Sequence, residues 1–201
     1  KKAGVKYYDY EGNETPLLKV LHDNGINYIR IRIWNDPFNA DGKTYGGGGN
    51  DVSTGVEIAK EAAQYDMKVL LDFHYSDFWA EPAVQLVPKA WKKDVNNTEK
   101  MCSDVYDFTK ESIQKFKDAG ANIGMVQVGN EITNGLLGIY SNRDKGESFN
   151  VIWGDKKKST EVNKYLKAGI KAVREYTPQA LVALHLETPN VWKYKTIMNT
   201  W

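Results

Sequence analysis

Apolar and polar positions change their period several times along the chain, and each change marks an element. Residues 27–34, NYIRIRIW, alternate strictly: Ile29, Ile31 and Ile33 fall on one face, and Tyr28, Arg30, Arg32 and Trp34 on the other. The spacing predicts a strand whose second face carries two arginines. Upstream, TPLLKVLHDNG at 15–25 sets a Thr cap before Pro16, repeats Leu17, Leu18 and Leu21, and stops at Gly25. It predicts a short amphipathic helix. Val52, Val56, Ala59 and Ala63 then recur at helical spacing before the nearly continuous apolar run MKVLLDF at 67–73, which predicts a strand covered on both sides. Met101, Val105, Phe108, Ile113 and Phe116 predict a helix running from Thr98 to Gly120, and NIGMVQV at 122–128 predicts a third strand. Val162, Tyr165, Leu166, Gly169, Ile170 and Val173 predict a last helix before the strand LVALHLE at 181–187.

Helices and strands thus alternate, with no two-residue hairpin signal between the strands. That rhythm places the chain in the α/β class, with parallel strands joined by right-handed crossovers in an open doubly wound sheet or a barrel. A doubly wound nucleotide binder carries a glycine-rich turn between its first strand and helix. YGGGGN at 45–50 lacks the G-x-G-x-x-G spacing, has no phosphate-binding Lys-Ser/Thr, and ends a long loop just before Asp51. It reads as a flexible loop ending in a helix cap, so a barrel is the better expectation.

A length of 201 residues suits one domain or a piece of one. The net charge of +1 forecasts neither a nucleic-acid nor an anionic-membrane partner, and the run Lys156 to Lys158 reads as a solvated loop. With Cys102 alone, neither an intrachain disulfide nor a thiolate metal cluster can form, and His22, His74 and His185 lack metal-motif spacing. No cofactor or metal is expected. Lys1 and Lys2 are not followed by a signal-type apolar run, and no stretch is long and apolar enough to cross a bilayer, so no membrane insertion is expected.

In a parallel barrel, chemistry gathers where strands end at their carboxyl edge. The first strand delivers Trp34, Asn35 and Asp36 there, with Arg30 further down. The next delivers Asp72, His74, Tyr75, Ser76, Asp77 and Trp79, the third Asn130, Glu131, Thr133 and Asn134, and the fourth His185 and Glu187. One polar strand end is ordinary, because strands must leave the core; four in succession point to a site. An Asn directly before a Glu suits cleavage of a sugar linkage, the amide binding a hydroxyl and the carboxylic acid protonating the leaving oxygen. Burial of Glu131 in a cleft would keep that proton available. Arg30 would orient and hold ionised a second carboxylate, or serve the fold as a buried ion pair. Tyr75, Phe78, Trp79, Trp91, Tyr140 and Trp153 sit in loop-like segments, where flat rings suit sugar faces, although most aromatics serve as core anchors.

The segments NYIRIRIWNDP, YGGGGNDV, LLDFHYSDFWAEPAVQLVPKAW and IGMVQVGNEITNGLL resemble the arabinogalactan endo-β-1,4-galactanases of glycoside hydrolase family 53, a likeness that runs through essentially the whole chain. The resemblance implies a (β/α)8 TIM barrel, of which this chain covers about strands two to five. Residues 1–201 would then be a partial catalytic domain lacking strand one and strands six to eight. It implies that Glu131 is the acid/base at the end of strand four, preceded by Asn130, and that Arg30 lies near the nucleophile. His74, Ser76, Asp77 and Trp79 match the strand-three motif and His185 the strand-five histidine, and Asp36 joins the expected substrate-binding set. The resemblance also implies that the nucleophile is a Glu at the end of strand seven, outside these residues, so the chain alone is expected to be inactive.

The implied substrate is the β-1,4-galactan of pectic arabinogalactan, and the implied location is extracellular or at the cell surface. An open half-barrel exposes two strand edges, so residues 1–201 alone are expected to associate rather than fold as a cooperative monomer. Asp36 stands where the family often has Asn, Glu81 where it has Asp, Gly138 where it commonly has Trp, and ETPN at 187–190 where DDG or DNG is usual. Without a Trp at 138 a sugar platform is missing, for which Tyr140 or Trp153 could substitute. A relative acting on mannan or cellulose shares the Asn-Glu pair, and a noncatalytic carbohydrate-binding half-barrel would use the same aromatics.

Overall fold

The computed structural model describes residues 4–45, 48–142, 145–148, 150–187 and 190–201. Gly46 and Gly47 of the glycine run, and Thr188 and Pro189 of the ETPN stretch, lie outside the described residues. The chain runs α1 (Leu17–Asp23), β1 (Tyr28–Ile33), α2 (Val52–Ala63), β2 (Lys68–Phe73), α3 (Thr98–Asp118), β3 (Ile123–Val128), β4 (Gly135–Leu136), β5 (Ile139–Tyr140), α4 (Asn150–Trp153), α5 (Lys156–Tyr176), β6 (Leu181–Ala183) and α6 (Val191–Met198).

Strands β1, β2, β3 and β6 form one sheet in that order, and every neighbouring pair is parallel. A doubly wound sheet reverses its strand order at a switch point; this order never reverses, as in a barrel wall. The register aligns Arg32, Asp72, Gln127 and Ala183 in one row across the sheet, and Arg30, Leu70, Met125 and Leu181 in the row two residues below. Because side chains alternate between faces, these rows share one side of the sheet.

The opposite face carries Ile31, Ile33, Val69, Leu71, Phe73, Val126 and Val128, all buried in one apolar cluster with residues of the helices. Burying each such side chain contributes about 1.5–3 kcal/mol. Two glycines let the helices close on this face. A Cβ at Gly55 of α2 would come within 2.9 Å of Ile33 and Phe116, and one at Gly169 of α5 within 2.6 Å of the Tyr75 hydroxyl and 2.8 Å of Val128. The apolar core thus lies between sheet and helices, and the other face carries Arg30, Arg32, Asp72 and Gln127 among Leu70, Met125 and Leu181.

The local signals hold with four differences. Pro16, not Thr15, occupies the cap of α1; the Thr15 hydroxyl bonds Asp9 and the Asn13 carbonyl instead, so this helix starts without a side-chain cap. Its stop is as expected: Gly25 takes φ +85°, and Ile26 N–H returns to the Leu21 carbonyl at 3.0 Å. Lys156 to Lys158 are the first turn of α5 rather than a loop, because the Asp155 carboxylate accepts the N–H groups of Lys157 (2.9 Å) and Lys158 (3.1 Å).

The fourth predicted strand is shorter than LVALHLE. Only Leu181–Ala183 pair with β3, since β3 turns out of the sheet at Gly129, whose φ is +83°. Finally, β4 and β5 form a two-residue hairpin through Leu137 and Gly138, with φ of +50° and +83°. Two positive φ values are the mirror-image turn that matches hairpin twist. A leucine in its first position gives no sequence signal for it.

Candidate active site

The site grows from the carboxyl end of β3. After Val128 the backbone passes through Gly129 and reaches Glu131 in the left-handed region at φ +49°, ψ +49°. A side chain held there costs on the order of 1–3 kcal/mol unless its surroundings enforce it. They do: Gln85 Nε2 donates to the carbonyls of Asn130 (2.9 Å) and Glu131 (3.3 Å), and Ile132 N–H donates to the His185 carbonyl (2.9 Å). Trp153 Nε1 donates to the Thr133 carbonyl at 2.6 Å. The Glu131 side chain is only half-buried, and among the described residues none hydrogen-bonds its carboxylate. It stands at the strand end with its acid function uncommitted.

Around it the polar face of the sheet forms one network. Asp72, 2% exposed, forms an ion pair with Arg30 Nη2 (3.0 Å) and accepts from His74 Nε2 (3.3 Å) and from Gln127 Nε2. Arg30 Nη2 also donates to Gln127 Oε1 (3.0 Å) and Asn130 Oδ1 (2.9 Å). Asn130 Nδ2 donates to the Ala80 carbonyl at 2.8 Å. His74 Nδ1 accepts the Ala80 N–H at 3.0 Å, which assigns its proton to Nε2, facing Asp72.

His185 Nδ1 lies 2.8 Å from Asn130 Oδ1 and 3.3 Å from the Glu131 nitrogen. One ring nitrogen cannot donate to the first and accept from the second; the shorter contact, to an oxygen that only accepts, makes Nδ1 the donor. Burial, and then the positive charge of Arg30, lower the His185 pKa from 6.5, so the ring is neutral at pH 7.

That shift has a stability consequence. The unfolded chain takes up a proton at His185 below its ordinary value of 6.5, whereas the folded chain does so only at lower pH. The stability tied to this ring is complete above that ordinary value and is lost as pH falls from it toward the folded value. Thermal midpoints of the full-length protein measured from pH 8 to pH 5 should fall with pH, and His185→Gln should flatten the decline.

The remaining expected site residues divide. Trp79 stays 42% exposed, with the Arg32 guanidinium 4.3 Å from its ring centroid, and is the aromatic best placed to meet a sugar face. Phe78 is similarly exposed. Tyr75, Trp91 and Trp153 are core residues instead, so Trp153 does not replace the platform missing at Gly138. His74 is 1% exposed with both ring nitrogens committed, and Ser76 is buried. Both brace the site from beneath rather than line its surface.

Asp77 clamps two loops by accepting the N–H groups of Asp36 (3.0 Å) and Lys89 (2.7 Å), and burial pushes its carboxyl above the ordinary value. Asp36 pairs with Lys89 at 2.8 Å. Solvent screens this exposed pair, so it contributes little to stability.

Sequence reasoning did not single out Gln85 or Gln127. The latter had a legible signal, a polar residue between two valines on the face shared with Arg30 and Arg32. Two surface depressions, of about 350 and 460 Å³, lie on the outer helices around Lys110 and Lys157, away from the strand ends. Among the described residues no three His, Cys, Asp or Glu side chains gather in a way that could hold a metal ion. No helix among them is long and apolar enough to cross a membrane.

A parallel sheet in unreversed order, helices on one face and a buried polar network at the strand ends define a (β/α)-barrel protein with its chemistry at the carboxyl edge. The chain belongs to glycosyl hydrolase family 53, whose model matches residues 1–201. It is 41% identical to the endo-β-1,4-galactanase of Bacillus subtilis over all of its own length and 42% of that protein's. It is 36% identical to the arabinogalactan endo-β-1,4-galactanase of Humicola insolens over 137 residues, 68% of this chain and 38% of that one. The solved GH53 catalytic domain of Ignisphaera aggregans superposes with a TM-score of 0.83 at 34% identity, over 99% of this chain and 52% of that domain. The chain therefore spans about half or less of the proteins it matches, and its sheet is part of a (β/α)8 barrel.

Proposed function

We propose that this chain carries the acid/base half of an endo-acting, retaining β-1,4-galactanase. Glu131 protonates the glycosidic oxygen as the bond breaks and then, as a carboxylate, activates the water that releases the product. The nucleophile comes from the rest of the full-length protein, about 5–5.5 Å from Glu131 as retention requires. Asn130 orients the sugar: its Oδ1 is spent within the protein, but Nδ2 keeps a second hydrogen beyond the one given to Ala80. Trp79 supplies an apolar face for a sugar ring. The substrate class is the galactan side chains of pectic arabinogalactan, and such an enzyme works outside the cell, where that polymer lies.

The single observation that carries this reading is the placement of Glu131. It is forced into a left-handed turn at the carboxyl end of β3, half-exposed and unpaired, beside an amide whose polar atoms are all aimed by the protein. The reading is supported by the 41% identity to a galactanase over the whole chain. Reducing-sugar release by the full-length protein, measured side by side on β-1,4-galactan, mannan and cellulose, tests it. Turnover is expected on galactan; turnover only on mannan or cellulose would reassign the substrate, and binding without product on all three would remove the enzymatic reading.

A further inference from the structure

Asp72 has no place in a two-carboxylate mechanism, yet it is buried and held by residues of three separate elements. Asp72 is 2% exposed, and its carboxylate is engaged by an ion pair with Arg30 of β1 and by hydrogen bonds from Gln127 of β3 and His74 in the loop after β2. A buried ion pair serving only the fold would end there. Each of these donors, however, leads on to Asn130.

Arg30 and Gln127 both donate to Asn130 Oδ1, at 2.9 and 3.2 Å, and are tied to one another at 3.0 Å. His74, its Nε2 proton held by Asp72, presents a bare Nδ1 to the Ala80 N–H, and the Ala80 carbonyl accepts from Asn130 Nδ2. Ala80 follows Trp79, so the second route also sets the exposed ring. The oxygen and the nitrogen of the Asn130 amide are thus both aimed by groups anchored on one carboxylate.

We propose that Asp72 is a positioning residue for the hydrolysis, acting through Arg30, Gln127 and His74 on the amide of Asn130 and hence on the peptide that carries Glu131. The inference rests on the reading of Glu131 given above. Asp72 touches neither substrate nor Glu131. A carboxylate suits the task because both its oxygens only accept: an amide of the same shape keeps one accepting oxygen and turns its N–H groups either toward the Gln127 amide donor or toward the Arg30 guanidinium and the imidazole N–H of His74. His74 could relieve that conflict only by moving its proton to Nδ1, which would give up the bond from the Ala80 N–H.

The test is Asp72→Asn in the full-length protein. On galactan, kcat should fall about ten- to hundredfold with KM within about twofold, the signature of a misplaced rather than a missing contact. The same change made on top of Asn130→Ala should cost little more than Asn130→Ala alone, because the residue through which Asp72 acts is already gone. Equal losses in both backgrounds, or an unchanged kcat, would overturn the proposal. If Asp72→Asn does not fold, Gln127→Met severs one of the links to Asn130 while leaving the Asp72–Arg30 pair intact; it should still lower kcat at constant KM, and an unaltered kcat in a folded protein counts against positioning. A wild-type protein inert on galactan would instead remove the functional reading. Positioning would then be judged from imidazole nitrogen shifts: His74 protonated at Nε2 in the wild type should lose that fixed tautomer in Asp72→Asn, and a tautomer unmoved by the change would refute it.

Discussion

Glu131→Gln in the full-length protein is expected to lower hydrolysis of β-1,4-galactan by about 10²–10⁴-fold, the usual worth of a positioned general acid and base. The amide has the shape of the acid but neither gives up a proton to the leaving oxygen nor takes one from water. The structural cost should be small, because the Glu131 side chain is half-buried and no described residue hydrogen-bonds its carboxylate. The thermal midpoint should therefore stay close to that of the wild type, which separates lost chemistry from lost folding. A synthetic galactoside with a nitrophenol leaving group needs little protonation as its bond breaks. Its first, burst-like turnover should survive in the variant while galactan cleavage does not. Unchanged steady-state turnover on galactan would take the role away from Glu131.

The second large effect is expected at Gly135, which begins the β4–β5 hairpin. Its φ is +126°, and a Cβ there would sit 1.9 Å from the Ile139 carbonyl oxygen and 2.7 Å from the Tyr140 Cα. Both obstacles are backbone, so no side chain can swing aside. Gly135→Ala combines a disfavoured dihedral with an overlap that only displacement of the hairpin relieves, and should destabilise the protein by about 2–6 kcal/mol.

The displacement should reach the site. Gly138 N–H bonds the Gln85 carbonyl at 2.6 Å, and the Gln85 amide in turn holds the carbonyls of Asn130 and Glu131. Denaturant midpoints and galactan turnover should fall together. A variant with wild-type stability would mean that the hairpin adopts another turn at no cost.

The alternation of NYIRIRIW and the helical spacing from Val162 to Val173 were enough to place β1 and α5, because both patterns report contacts with a single apolar layer. The NE at 130–131 was legible as candidate chemistry because a strand had just ended there. The end of β6 was not legible: LVALHLE has the composition of a longer strand, but β3 turns away at Gly129 and leaves residues 184–186 without ladder partners. His74, Ser76 and Asp77 looked like sugar-facing groups from their position after a strand. His74 and Ser76 are buried, and Asp77, half-buried, accepts the N–H groups of Asp36 and Lys89, so their contacts run to the loops around Trp79.

Local residue patterns are enough to establish the order of the helices and strands, their parallel arrangement, and the identity of the strand ends that carry polar groups. These follow from period, caps and turn glycines, which act over a few residues. That Arg30, Asp72, Gln127, Asn130 and His185 form one connected set emerges only from the folded arrangement. Their bonds join residues as far as 100 positions apart, and such contacts depend on strand register and on where each strand leaves the sheet, quantities set by the packing of the whole layer rather than by any local run of residues.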